Sequence, residues 1–154
     1  MKITKTNGFS LLELMIVLAI FGIMASTASF YMGRYSNNTK LRTAARDLAT
    51  DFNTMKAGAV SNLGTTYTIV FDKTANTYTT TIGTNVVTKP VASSDHGSAY
   101  IFSLPGGGTT YTLAFLARGT FGSFGTITLK NNRGSSANII FTITGKTYVT
   151  FTMQ

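Results

Sequence analysis

Glu13 is the residue whose placement most needs a chemical reason. It stands in a run from Phe9 to Phe30 that is otherwise almost wholly apolar, broken mainly by Ser10 and a few small residues. An ionisable group inside such a segment costs about 2.5–3.5 kcal/mol on membrane-insertion scales, which marks it as a functional position. Other chemistry-bearing constellations fail. His96, beside Asp95, has no second histidine and no cysteine with which to complete a metal site. Gly145-Lys146-Thr147 ends like a phosphate-binding loop, but the position that needs the first glycine is Ile140. Gly119, Gly122 and Gly125 interleave with Phe121 and Phe124 and read as packing aromatics in a flexible connection. With no nucleophile–base pair or ligand cluster visible, the chain is expected not to be an enzyme, and no cofactor or metal is implied.

Composition points the same way. Of 154 residues, 44% are hydrophobic and 12% charged, which excludes a disordered acidic or basic tail. The length allows one domain plus a short appendage. Thirteen basic against five acidic residues give a net charge of +8, so an anionic partner has to be weighed.

The appendage is the N-terminus. Lys2 and Lys5 precede the apolar run, and about 20 helical residues at 1.5 Å each span a hydrocarbon core of about 30 Å. The positive-inside rule leaves Met1 cytoplasmic and exports the rest. A cleaved secretory signal, cut near Ser26-Thr27-Ala28, is the plain competitor. It gives Glu13 no purpose.

Asn7-Gly8-Phe9-Ser10-Leu11-Leu12-Glu13, continuing apolar through Ile20, resembles the class III signal of type IV prepilins. The resemblance implies a prepilin peptidase that cuts between Gly8 and Phe9, methylates the new amino terminus at Phe9, and leaves the apolar helix in place. It also gives Glu13 an assembly role. A carboxylate from one subunit offsets the Phe9 ammonium of a neighbour in lipid or in a filament core, where a lone charge is expensive. Many pilins have a proline near the position of Phe30; this helix has none, so no proline kink is expected, and Gly22 and Gly33 are its weak points.

Beyond Arg34, apolar residues recur at Leu41, Ala44, Ala45, Leu48, Ala49, Phe52, Met55 and Ala59, the three-and-four spacing of an amphipathic helix. One helix from about Phe9 to Ala59 is therefore predicted, with Asn37-Asn38 as its irregular spot. Leu41, Ala45, Leu48, Phe52 and Met55 should face a sheet, while Arg42, Arg46 and Lys56 form a solvated face. From Thr65 onward the period falls to two, as in Tyr67-Ile69-Phe71, Ile127-Leu129, Ile139-Phe141-Ile143 and Val149-Phe151-Met153. The expected fold is α+β: a long N-terminal helix, membrane-spanning in its first half and amphipathic in its second, packed against an antiparallel sheet head of about seven strands. The divisions are 1–8 (leader, removed), 9–33 (transmembrane and assembly helix) and 34–154 (periplasmic pilin-like head).

Ala45-Arg46-Asp47-Leu48-Ala49-Thr50-Asp51-Phe52, Leu116-Ala117-Arg118-Gly119, and the strand from Ile139 to Gly145-Lys146 resemble H-type pseudopilins and FimT-like minor pilins. That resemblance implies a structural subunit of a type II secretion pseudopilus, or of the tip or initiation complex of a type IV pilus. It would be anchored in the inner membrane with its head periplasmic or on an extracellular filament. The implied partners are other pilins or pseudopilins in a helical filament, the prepilin peptidase, the inner-membrane assembly platform and membrane lipid. The alternative is a DNA-binding minor pilin for natural transformation. Arg118, Lys130, Arg133 and Lys146 are its candidate phosphate contacts, binding without sequence preference and more weakly as salt rises.

Overall fold

The computed structural model describes residues 9–91 and 99–154, with the side chains of all but 28–31. Gly8, Lys2 and Lys5, as well as Asp95 and His96, lie outside the described residues.

A single helix, α1, runs from Leu11 to Ser61. It contains no proline and starts at a side-chain cap. Ser10 Oγ accepts the Glu13 amide at 3.2 Å, and the Ser10 carbonyl accepts that of Leu14. Ser10-Leu11-Leu12-Glu13 thus has the spacing of a capping box, which starts the helix just after Phe9. Within the apolar stretch, Ser26 and Thr27 turn their hydroxyls back onto the carbonyls of Ile23 and Met24 at 2.8 and 2.9 Å. Neither hydroxyl is left needing water. The helix ends where Asn62 donates to Gly58 and Gly64 takes a positive φ.

The chain divides into two compact units between Tyr35 and Ser36. In the first, the apolar side chains of Leu11, Leu12, Met15, Phe21 and Ile23 are all more than half exposed. Its helix is long and apolar enough to cross a membrane.

The second unit holds the rest of α1 and eight strands: β1 (Tyr67–Asp72), β2 (Thr77–Ile82), β3 (Asn85–Pro90), β4 (Tyr100–Ser103), β5 (Thr110–Phe115), β6 (Gly125–Lys130), β7 (Ser136–Phe141) and β8 (Thr147–Thr152). The α+β expectation of a long helix on an antiparallel β head is what the structure shows, with eight strands rather than about seven. The strands form two four-stranded antiparallel sheets, ordered β3-β2-β1-β5 and β4-β6-β7-β8. The chain switches sheets around Pro105–Gly107, a single 3-10 turn in which Gly106 has φ 79°, and this sends β5 back to β1 rather than to β4. The strand read as reaching Ile143 stops at Phe141, and Ile143 is exposed in the turn before β8.

Phe52 joins helix to both sheets. It lies edge-on to Phe71 and Phe115 of the first sheet, at 6.1 and 5.9 Å, and to Phe141 of the second at 5.9 Å. Phe121, from the connection between them, makes a fourth edge contact at 6.2 Å. Leu41, Ala45, Leu48 and Met55 are buried on the same helical face. Of the loop aromatics, Phe121 is buried and Phe124 is exposed.

Asn37-Asn38, expected to be irregular, lies within unbroken helix. Asn38 has tertiary partners in place of local competition with the backbone. Its Oδ1 accepts Asn131 Nδ2 at 3.1 Å and Ser135 Oγ at 2.8 Å, and its Nδ2 donates to the Gln154 carbonyl. Asn131 and Ser135 are buried polar residues, so this network satisfies groups that would otherwise cost stability.

Candidate functional site

The N-terminal turn is built for a charge. Phe9 is 81% exposed, Ser10 caps the helix, and Glu13 sits exposed in the first turn, where the positive end of the helix dipole favours a carboxylate. No side chain among the described residues pairs with that carboxylate. Position 13 lies four residues after position 9 and in the first turn of α1, so its carboxylate is near in the chain to any ammonium created at Phe9.

The four basic candidates in the head do not form one patch. Arg118 is exposed in the turn closed by Gly119 donating to the Leu116 carbonyl, and Lys146 is exposed in the turn between β7 and β8. These turns touch, because the Gly119 carbonyl oxygen occupies the place where a side chain on Gly145 would begin. Lys56 reaches them from α1, donating its ammonium to the Gly145 carbonyl at 2.8 Å. That corrects the reading of Lys56 as merely solvated. Arg42 and Arg46 are both exposed, Arg42 with its guanidinium 5.7 Å from the centroid of the Phe151 ring. Lys130 and Arg133 belong to the other end of the head. Gly125 pairs with Phe141 at one end of β6 and Lys130 with Ser136 at the other, five positions or roughly 17 Å apart.

A polar cluster absent from the sequence reading lies between α1 and β2–β3. Lys89 bonds both carboxylate oxygens of Asp51 at 2.9 Å, and the Tyr78 hydroxyl donates to the same carboxylate at 2.6 Å. Asp47, Thr50 and Val91 line the adjoining groove. Burial first, then the hydrogen bond to Asp51 and the charges of Asp51 and Asp47, push the Tyr78 phenol well above its ordinary value. The local signal was the Asp47/Asp51 spacing of one turn, but only the β2–β3 register, which sets Tyr78 opposite Lys89, names the partners.

Because the phenol is raised on folding, its contribution is complete below the unfolded value near pH 10 and is lost as pH climbs above it. Tyr78→Phe should therefore flatten the alkaline decline of the melting temperature above about pH 10 and leave the neutral-to-acid side of the profile little changed. An identical alkaline slope in both proteins would show that Tyr78 is not the group responsible.

Among known families, residues 3–29 match the model of the prokaryotic N-terminal methylation motif. The chain carries a class III pilin signal. The match covers the leader from Ile3, Phe9, the Ser10 cap, Glu13 and the apolar helix as far as Ser29, and stops short of the head. It indicates a type IV pilin-like or pseudopilin protein, a structural class, with processing by a prepilin peptidase and assembly with other pilins. The apolar helix of this pilin-like chain fits membrane anchoring. No curated protein and no solved structure matches the chain.

Proposed function

We propose that the protein is a minor pilin or pseudopilin of the H-type and FimT-like kind, entering a type II secretion pseudopilus or the tip or initiation complex of a type IV pilus through α1. The peptidase cuts between Gly8 and Phe9 and methylates Phe9. Residues 9–33 hold the subunit in the inner membrane, and residues 34–154 form its periplasmic or filament-borne head. The observation that carries this reading is the methylation motif over residues 3–29 running into one helix that also forms the backbone of the head. Glu13 is the assembly determinant, paired in the filament with the ammonium of a neighbouring Phe9. Desolvating either charge alone is costly, and pairing offsets much of that cost.

Glu13→Ala should leave the protein inserted and its leader cleaved, yet reduce incorporation into sheared filament or pseudopilus fractions by at least about tenfold. That is the effect of losing about 1.4 kcal/mol of coupling. Incorporation at the parental level would remove Glu13 from the account.

A second reading, a DNA-binding minor pilin, is favoured by one arrangement: Lys56, Arg118 and Lys146 converge on the Gly119–Gly145 contact. If these residues hold phosphates, the purified protein should retard duplex DNA in a salt-dependent way, and Arg118→Gln with Lys146→Gln should abolish the retardation. Retardation that survives both changes would assign the binding elsewhere.

A further inference from the structure

Aromatic and basic side chains, part-exposed or exposed, meet at the Asn38 end of the head. Phe102 of β4 is 44% exposed, with the Lys130 ammonium 3.5 Å and the Lys73 ammonium 6.0 Å from its ring centroid. Tyr100, two residues earlier and 37% exposed, stands in register with Lys130. Lys130 leads into Asn131, whose side chain is bonded to Asn38 of α1, so the patch is tied to the helix at that residue. Asp72 is an acidic neighbour on the turn that carries Lys73, and its Oδ1 accepts the amides of Thr74 and Ala75.

Chain length limits where this patch can go. Only four residues lie between position 33, where the membrane segment ends, and Asn38, and those five steps span at most about 18 Å even when fully extended. With residues 9–33 in a bilayer, this tether keeps Asn38, to which the patch is bonded through Asn131, within about 18 Å of the membrane segment. Lysines beside aromatic rings are the chemistry of the headgroup layer. Aromatics settle at the membrane–water boundary, and each lysine near an anionic leaflet favours association by about fivefold. An ammonium over a ring face still has N–H donors for phosphate oxygens. Single-stranded nucleic acid could also stack on such rings, but the membrane is tethered to the patch at high effective concentration, as no polynucleotide is.

We propose that the patch of Lys73, Tyr100, Phe102 and Lys130 docks the base of the head onto anionic phospholipid headgroups of the membrane that holds α1. Docking keeps the unassembled subunit against the bilayer, and entry into a filament breaks it. The proposal rests on the membrane anchoring in the reading above.

The test uses the full chain, which has no cysteine of its own. A single cysteine, Asn132→Cys beside the patch or Thr144→Cys at the opposite end of the head, carries a fluorophore. Each protein is reconstituted into phosphatidylcholine vesicles, with or without phosphatidylglycerol, that contain a headgroup-linked quencher. The expected result is strong quenching at position 132 only when phosphatidylglycerol is present, weak quenching at 144, and loss of the difference as salt rises. Lys73→Gln with Lys130→Gln should lower the docked-to-free ratio on the order of 25-fold, while Arg118→Gln with Lys146→Gln leaves it unchanged. Should the lysine pair disturb folding, the salt series on the protein with both lysines intact decides alone. Quenching at 132 that ignores phosphatidylglycerol, or equals that at 144, overturns the docking. Quenching indifferent to lipid charge, together with tight binding of a single-stranded oligonucleotide that the lysine pair abolishes, reassigns the patch to nucleic acid. A chain that fails to float with the vesicles overturns the anchored reading as well.

Discussion

Phe52→Ala should leave the head largely unfolded at temperatures where the parent is stable. Truncating a buried phenylalanine costs about 3–5 kcal/mol, and this one loses four edge-on ring contacts that bind the helix to both sheets. Whole-domain stability is only about 5–15 kcal/mol. In detergent-solubilised full-length protein, the near-ultraviolet signal of the head should melt far below that of the parent, while the apolar half of α1 keeps its helical signal. Arg46→Ala, at an exposed position on the same helix, should shift stability by no more than about 0.5 kcal/mol. Equal effects from the two changes would mean that Phe52 is not where α1 holds the sheets.

The second large effect is expected at Gly145. Its φ is 79°, a left-handed conformation that costs a side chain about 1–3 kcal/mol. A methyl group there also meets the Gly119 carbonyl oxygen, part of the backbone rather than a side chain able to swing away. Relieving that collision separates the two turns and strains the bond from Lys56, adding about 1–3 kcal/mol of overpacking cost. Gly64→Ala is the control, because its φ is 97° with open space around the missing Cβ. It should pay for conformation alone. Thermal melts of the two variants should therefore differ clearly, with Gly145→Ala the lower; matching melts would place the turns farther apart than described.

The helix and most strands were legible because their periods are local. Leu41, Leu48, Phe52 and Met55 recur at helical spacing and lie buried along one face, and Ile127-Leu129 alternate as a half-buried strand does. The division into two sheets was not legible. In β2, Tyr78 alone is buried among threonines, so no alternation marks the strand, and β3 is nearly all exposed. Which strand joins which sheet depends on the turn at Pro105–Gly107 and on pairing across many residues. The Ser10 cap was present as a serine three residues before a glutamate, but the functional weight of Glu13 hid it. The cluster of Asp51, Tyr78 and Lys89 joins residues 27 and 38 positions apart, beyond any spacing rule. The four basic candidates looked equivalent in sequence; only the direction of β6 sends them to opposite ends of the head.

The match to the methylation motif makes the amino terminus the place to test the account. Mass spectrometry of the protein isolated from its native host measures it directly. The account predicts a chain that begins at Phe9, carries one added methyl group on its amine, and has lost residues 1–8. Replacing Gly8 with a bulky residue should return the full-length chain. A mature protein beginning at Ser29, the product of an ordinary secretory cleavage, would lack Glu13 and the apolar helix and would contradict the pilin reading outright.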